Sequence, residues 1–285
     1  GTFVSYYIFI FFSIGEKKMK KVLSVLIAAA TIFSVVSCKK VQKVDNSLEE
    51  LKARGVFVLG LDASFPPLGF TDEDGNIVGY DIDLAKEVSK RLGVEFKAQP
   101  IDWDAKEMEL STGKIDCIWN GFTMTPEREE ALSFTKPYLN NDQVLIVKAD
   151  SGLTKLADMA GKKVGLQNGS SAQAAVDSNT EFAASLKDQV FYKENLTALN
   201  DLIIGGVDGV VMDSVVAAYD IAQSKKPLVI VNEVLSKEAY GVGFRKGDVK
   251  LRDEVQKILE EMANDGTVAA ISTKWFGSDI SVIGK

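Results

Sequence analysis

Histidine is absent from the 285 residues. That excludes triads and general bases built on imidazole, and every histidine metal site. Cysteine is almost absent. Cys38 and Cys117 are the whole complement and neither belongs to a Cys-x-x-Cys pair, so zinc and dithiol chemistry lack ligands. No metal or cofactor is expected. Arginine occurs five times, and none lies between Arg91 and Arg128 or between Arg128 and Arg245. What remains is ordinary for a globular protein of one or two domains: 46% hydrophobic and 26% charged residues. Net charge is −7. Four lysines and one glutamate fall within residues 1–37, so the rest of the chain carries −10. An acidic body of this kind argues against a nucleic-acid partner.

Met19 opens "MKKVLSVLIAAATIFSVVSC". Lys20 and Lys21 form a positive n-region, and Val22 to Val36 is an apolar run short for a membrane span, so residues 19–37 read as a signal peptide. An unprocessed membrane anchor is the alternative. The closing "VVSC" resembles the bacterial lipobox, which implies cleavage before Cys38 and a lipid on its sulfur. Several acyl chains hold a protein far more firmly than one. Residues 38–46 read as a polar tether. Residues 1–18 precede a complete signal and read as translation upstream of the true start. "GEKKM" is what a purine-rich ribosome-binding site and a start codon give when translated.

The body alternates strands and helices. Ser47 and Glu50 form a capping-box pattern ahead of "LEELKAR". "VFVLGLD" suits a buried strand, and Asp74-Gly75 marks a hairpin. "DIDLAKEVSKRLG" is helical, with Ile82, Ala85, Val88 and Leu92 on one face and Gly93 as the stop. "VEFKAQ" and "IDCIW" read as strands with the short helix "KEMELSTG" between them. A second cycle runs through "KKVGLQ", "SAQAAVDSN", "NLTALNDLIIGG", "DGVVM" and "SVVAAYDIAQSK". Such alternation implies parallel βαβ units. Leu110-x-x-Gly113-x-x-Asp116 is echoed by Leu202-x-x-Gly205-x-x-Asp208, as two lobes of similar construction would require. The tail, in which Val255, Ile258, Leu259 and Met262 form an apolar stripe, is expected to pack back onto the first lobe. The chain would then cross between lobes near Tyr138–Val144 and near Val231–Tyr240.

Ligands of open α/β sheets sit beyond the carboxyl ends of strands, and four such ends carry polar groups. In "WNGFTMTPER", Thr125 and Pro126 open a helix, and Glu127, Glu129 and Glu130 suit its positive end. Arg128 gains nothing there, yet its planar fork of donors matches a carboxylate. A surface ion pair with a glutamate explains it equally well. In "LQNGSSAQ", Ser170 and Gln173 form a second capping box, and the helix N-terminus is either a plain cap or an anion site. Asp213 in "VVMDSVV" is either an N-cap or a carboxylate facing an ammonium. Asp62 and Phe65 in "GLDASFPP" are either a turn aspartate and a core aromatic or a pocket wall. Together the four ends supply an arginine, a helix N-terminus, a carboxylate and an aromatic. That set complements a zwitterion with a side chain.

With "GYDIDLAKEVSKRLG", "GFTMTPEREEALSFTKPY", "KKVGLQNGSSA" and "GTVAAISTKWFG" in this order, the chain resembles the extracellular solute-binding proteins, family 3, of amino-acid ABC importers. The resemblance runs from about Leu51 to Phe276. It implies an α/β type II periplasmic-binding-protein clamshell, with lobe one formed by residues 47–140 and 239–285 and lobe two by residues 141–238. It implies that Arg128 takes the ligand α-carboxylate, helped by Ser170 and Ser171. Gly121, Thr123 and Asp213 match positions for the α-amino group, with Phe122 and Gly169 beside them. Asp62, Phe65, Trp103, Asn120 and Gln167 match positions around the side chain, and a polar or basic amino acid suits them. Trp119 faces either core or cleft. The implied partners are a free L-amino acid and an ABC permease, and the membrane through the lipid anchor alone. A monomer at the periplasm or outer cell surface is expected. A cyclohexadienyl or arogenate dehydratase-like enzyme of the same fold, and a ligand-sensing domain, are the competing readings.

Overall fold

In the computed structural model, residues 44–285 are described. The readings for the signal peptide, Cys38 and most of the tether lie outside the described residues.

The chain enters through α1 (Ser47–Arg54). Ser47 is already helical and Asn46 holds the cap position, so the expected capping box does not form. Asp45 replaces it by accepting the Ser47 N–H at 2.9 Å, a carboxylate at the positive end of the helix. β1 (Val56–Leu61) leads into a small antiparallel sheet of β2 (Ser64–Phe65), β3 (Gly69–Thr71) and β4 (Ile77–Val78). α2 (Tyr80–Leu92) buries Ile82, Ala85, Val88 and Leu92, and Gly93 ends it at φ 74°. Next come β5 (Glu95–Pro100), a 3-10 turn at Trp103–Ala105, α3 (Lys106–Ser111), β6 (Cys117–Ile118), α4 (Pro126–Ala131) and β7 (Leu132–Phe134).

β8 (Leu139–Lys148) carries the chain into the second sheet. There follow β9 (Lys163–Gln167), α5 (Ser171–Ser178), α6 (Thr180–Ser185), β10 (Asp188–Tyr192), α7 (Asn195–Ile204), β11 (Gly209–Asp213) and α8 (Ser214–Ser224). β12 (Leu228–Tyr240) returns to the first sheet. β13 (Gly243–Arg245) pairs there with β6 and β7, and α9 (Val249–Asn264) and α10 (Thr267–Phe276) follow. Val255, Ile258, Leu259 and Met262 are the buried stripe of α9.

The two lobes repeat one plan. The first sheet has the order β5-β1-β6-β13-β7 and the second β10-β9-β11-β8-β12. In each, the second strand pairs in parallel with both neighbours, and the fourth pairs antiparallel. The sequence echo has a common geometry. Gly113 and Gly205 adopt φ 77° and 85° after their helices. The Asp116 carboxylate accepts the Val58 N–H within β1, and the Asp208 carboxylate accepts the Lys163 N–H at the start of β9, each at 2.8 Å. β8 and β12 run antiparallel side by side, so the two connections between lobes form one ribbon, with register shifts between Ile230 and Ser236. A Thr123–Tyr240 bridge ties that ribbon to the first lobe.

Candidate ligand-binding site

Strand ends and the segments after them put polar groups around the cleft. Asp62, Phe65, Trp103, Asn120, Gly121 and Arg128 meet Gln167, Ser170, Ser171 and Asp213 around one cavity. About 280 Å³ of atom-free space lies among them, but only about 10 Å³ admits the centre of a water molecule. That is room for about one water, so the cavity as it stands is closed to anything larger. Phe122, Thr123 and Gly169 are not among this lining but contact Arg128, which is part of it. Trp119 is fully buried and packs on Tyr138, with ring centroids 6.2 Å apart, so it belongs to the core.

Arg128 is held without a counterion. Thr125 caps α4, its hydroxyl accepting the Arg128 N–H, and Pro126 takes the first helical position. The half-buried guanidinium stacks 4.6 Å above the Phe122 ring. Nη1 donates to the Thr123 carbonyl at 3.0 Å and Nη2 to the Gly169 carbonyl at 3.4 Å. Among the described residues no carboxylate lies within ion-pair distance of it. Burial lowers its pKa, while Glu107, Glu238 and Asp213 oppose that from a distance.

Asp213 is the mirror case. It occupies the N-cap position of α8, yet its carboxylate makes no cap. Oδ1 instead accepts from Tyr240 Oη at 2.6 Å, Asn141 Nδ2 at 2.7 Å and Gln143 Nε2 at 2.9 Å. All three donors are neutral. Burial, then the nearby charge of Glu238, pushes the Asp213 carboxyl up to about 7, against the hydrogen bonds that favour its ionised form.

The hydroxyls of the second-lobe helix are already engaged. Ser170 Oγ donates to the Gln167 carbonyl at 2.7 Å and accepts the Gln173 N–H at 3.3 Å. Gln173 Oε1 takes the Gly169 N–H at 3.1 Å, one residue before the cap itself. An anion at this helix therefore meets the backbone N–H groups of Ser171 and Ala172, which the cap leaves without an intrahelical partner.

The side-chain end is acidic. Asp62 Oδ1 accepts from the Ser64 N–H and hydroxyl at 2.9 and 2.6 Å, and Oδ2 accepts from Gln167 Nε2 at 2.7 Å across the cleft. Gln167 Oε1 in turn accepts from Asn195 Nδ2 at 3.1 Å. Asn120 Oδ1 accepts the Asp62 N–H, while its Nδ2 is buried with no partner. Beyond Asp62 opens a wide recess bounded by Asp102, Glu109, Lys114, Lys193 and Glu194. Lys193 pairs there with Asp102 at 2.6 Å and Lys114 with Glu109 at 3.0 Å.

Sequence reasoning missed four contributors. Lys106 is 2% exposed and donates to the carbonyls of Trp103 at 3.1 Å and Gly169 at 3.0 Å, and burial lowers its pKa to about 8. A lysine opening a short helix reads as solvent-facing, so nothing in the sequence marks it. Asn141, Gln143 and Glu238 lie on β8 and β12 inside the two flagged crossovers. The polarity of Asn141 and Gln143 in the largely buried β8 was the available signal, whereas β12 is mostly exposed and gave none for Glu238.

Two lobes joined by a two-stranded ribbon, with unpaired opposite charges turned into the cleft between them, define a clamshell binding protein. Residues 57–278 match the bacterial extracellular solute-binding proteins, family 3, and the chain belongs to that family. It is similar to the L-cystine-binding protein TcyJ of Escherichia coli strain K12, at 32% identity over 83% of this chain and 88% of that protein. The arginine-binding extracellular protein ArtP of Bacillus subtilis strain 168 is 29% identical over 90% of this chain and 98% of its own length. The crystal structure of an ABC uptake transporter substrate-binding protein from Streptococcus pneumoniae with bound histidine superposes with a TM-score of 0.81. It has 37% identity over 84% of this chain and 98% of that one. These relatives are binding proteins. The ancestral amino-acid-binding protein AncCDT-1, a precursor of cyclohexadienyl dehydratase, has a TM-score of 0.74, 34% identity, and coverage of 81% and 99%.

Proposed function

We propose that this chain binds a free L-amino acid between its lobes and presents it to an ABC permease, without catalysis. One observation carries the reading: Arg128 and Asp213 line the same closed space with opposite charges, and neither has an ionic partner among the described residues. A zwitterion supplies both partners at once. The α-carboxylate meets Arg128 and the first-turn N–H groups of α5, and the α-ammonium meets Asp213. A polar or basic side chain is favoured, because Asp62 is bonded only by the neutral Ser64 and Gln167. In this reading lobe one comprises residues 47–140 and 239–285, lobe two residues 141–238, and a lipid on Cys38 keeps a monomer at the membrane.

The test is a thermal-shift screen against the twenty proteinogenic L-amino acids and L-cystine. Ligand at about 100-fold over its Kd adds roughly 2.7 kcal/mol, or roughly 5–10 °C in Tm for a body of this size. Arg128→Ala should abolish the shift while leaving the fold intact. Undiminished binding by that variant would refute the site assignment, and release of carbon dioxide from prephenate or arogenate would refute the non-enzymatic reading.

A further inference from the structure

Glu238 lies on β12, outside the set of residues that line the closed cavity. Its Oε2 nevertheless collects donors from every part of the cleft. Thr123 Oγ1 of the first lobe donates at 2.8 Å, and Ser171 Oγ of the second lobe at 3.2 Å. Asn141 Nδ2 and Gln143 Nε2 of β8 donate at 3.2 and 3.0 Å. Ser236 Oγ holds the other oxygen at 3.2 Å. The Thr123 and Ser171 hydroxyls are themselves 3.1 Å apart.

Counting hydrogens decides what this does. Thr123 has one hydroxyl hydrogen and two acceptors for it, Glu238 and Ser171. The carboxylate is closer and charged, so it takes the hydrogen. Ser171 then directs its own hydrogen to Glu238 or to Thr123, because the two hydrogens of Gln143 Nε2 go to the nearer carboxylates of Asp213 and Glu238. Neither hydrogen is left for the cavity. We propose that Glu238 is a positioning residue of the ligand site: by holding these hydroxyl hydrogens it leaves the oxygen lone pairs of Ser171, in the cavity lining, and of Thr123, 3.1 Å from it, as acceptors for the ligand's ammonium. Asp213 then supplies charge and the hydroxyls supply geometry, while a solute presenting only acceptors finds no donor in this corner. The proposal rests on the amino-acid reading above.

Glu238 also acts on Asp213 through space. Besides Glu238, the groups around Asp213 are Tyr240 on β12, Asn141 and Gln143 on β8, and Arg128 across the cleft, which feels the Asp213 charge. Removing the Glu238 charge therefore favours the ionised form of Asp213 in the empty site.

The test uses the whole chain with the twenty L-amino acids and L-cystine as probes, followed by calorimetric titration of the tightest one from pH 5 to pH 8. Glu238→Ala should weaken binding at least tenfold at pH 7.5. Glu238→Gln fills the same space without the charge. It should weaken binding less and move the acid midpoint of the affinity profile downward relative to wild type. The midpoint shift reads the Glu238 charge acting on Asp213, while a loss at pH 7.5, where a lower Asp213 pKa alone would strengthen binding, reads the positioning of the hydroxyls. A wild type that binds, with Glu238→Gln matching its affinity or its midpoint, would overturn the proposal alone. A wild type that none of the probes stabilises would overturn the amino-acid reading and the proposal together.

Discussion

Lowering the pH from 7.5 to 5.5 should cost this protein its ligand, and the size of the loss follows from Asp213. Its carboxyl is held at about 7 in the empty cleft by burial and by the charge of Glu238. Only the ionised form receives an ammonium. With a pKa of about 7, roughly three quarters of the sites are ionised at pH 7.5 and about 3% at pH 5.5. An ammonium against the carboxylate returns its pKa to the ordinary range, so the complex stays ionised across the window. Affinity should therefore fall about 25-fold, or about 1.9 kcal/mol, steepening towards tenfold per pH unit at the acid end. Calorimetry in two buffers of different ionisation enthalpy should show about one proton released per ligand at pH 5.5 and about a quarter at pH 7.5. Asp213→Asn should flatten the profile and weaken binding by about 2–5 kcal/mol, the range for removing one partner of a buried charge pair. Asp81 titrates near the same pH, but its carboxylate faces the Gly121 N–H and the Tyr138 hydroxyl, not the cavity. The variant separates the two. A wild-type affinity constant within twofold across the window, or an Asp213→Asn variant that keeps the slope, would refute this account.

The empty protein should show the opposite trend. Asp81 and Asp213 have folded pKa values raised to about 7 from 3.8, so the fold favours their protonated forms. The stability this confers is present at low pH and is lost as pH rises towards 7. From pH 5.5 to 7.5 each group should cost about 2 kcal/mol by urea denaturation, and Asp213→Asn should halve the effect. Gly121→Ala tests the backbone beside Asn120. Gly121 sits at φ 57°, and a Cβ there would lie 2.7 Å from Leu68 Cδ1 and 3.0 Å from Phe65 Cε1. The variant should lose at least about 1 kcal/mol in denaturant melts and bind its ligand more weakly; wild-type values in both would refute the reasoning.

The strand–helix alternation was legible because each element kept one period. The α2 face and the α9 stripe are buried as their spacing required. β10 escaped notice because it is an edge strand whose residues are all at least partly exposed, so "DQVFY" has no clear apolar alternation. "IDCIW" was placed correctly but read too long: only Cys117–Ile118 is strand, because the chain must turn at Asn120 and Gly121 to enter the cleft. Asn120 and Trp119 could not be assigned to faces from so short a run. The plain explanations held for Ser170, which caps its helix, and for Asp62, which accepts the Ser64 N–H, but failed for Arg128 and Asp213. Thr125 does cap its helix, but Arg128 finds no glutamate and Asp213 caps nothing. Distant neighbours decided Asp213, whereas Arg128 is held by Phe122 and Thr123 close by in sequence and by Gly169 from the other lobe; Lys106 and Glu238 became visible only through their tertiary contacts.

The division of charge between lobes bears on what the cleft can discriminate. Arg128 stands on a first-lobe helix, and Asp213 ends a second-lobe strand. A carboxylic acid lacking an amine would satisfy Arg128 and leave Asp213 shut away beside Glu238. An amine lacking a carboxylate would do the reverse. Leaving Arg128 unmatched costs several kcal/mol, a large share of the roughly −8 kcal/mol available to a micromolar ligand, while an unmatched Asp213 neutralises at a smaller cost near pH 7. In the proposed reading, selectivity for the amino-acid backbone comes mainly from the cost of closing on a solute without a carboxylate. Asp62 extends the same logic to the side chain. Held by neutral donors alone, it adds nothing against an apolar side chain except the burial of its own charge, and it gains most from a cation.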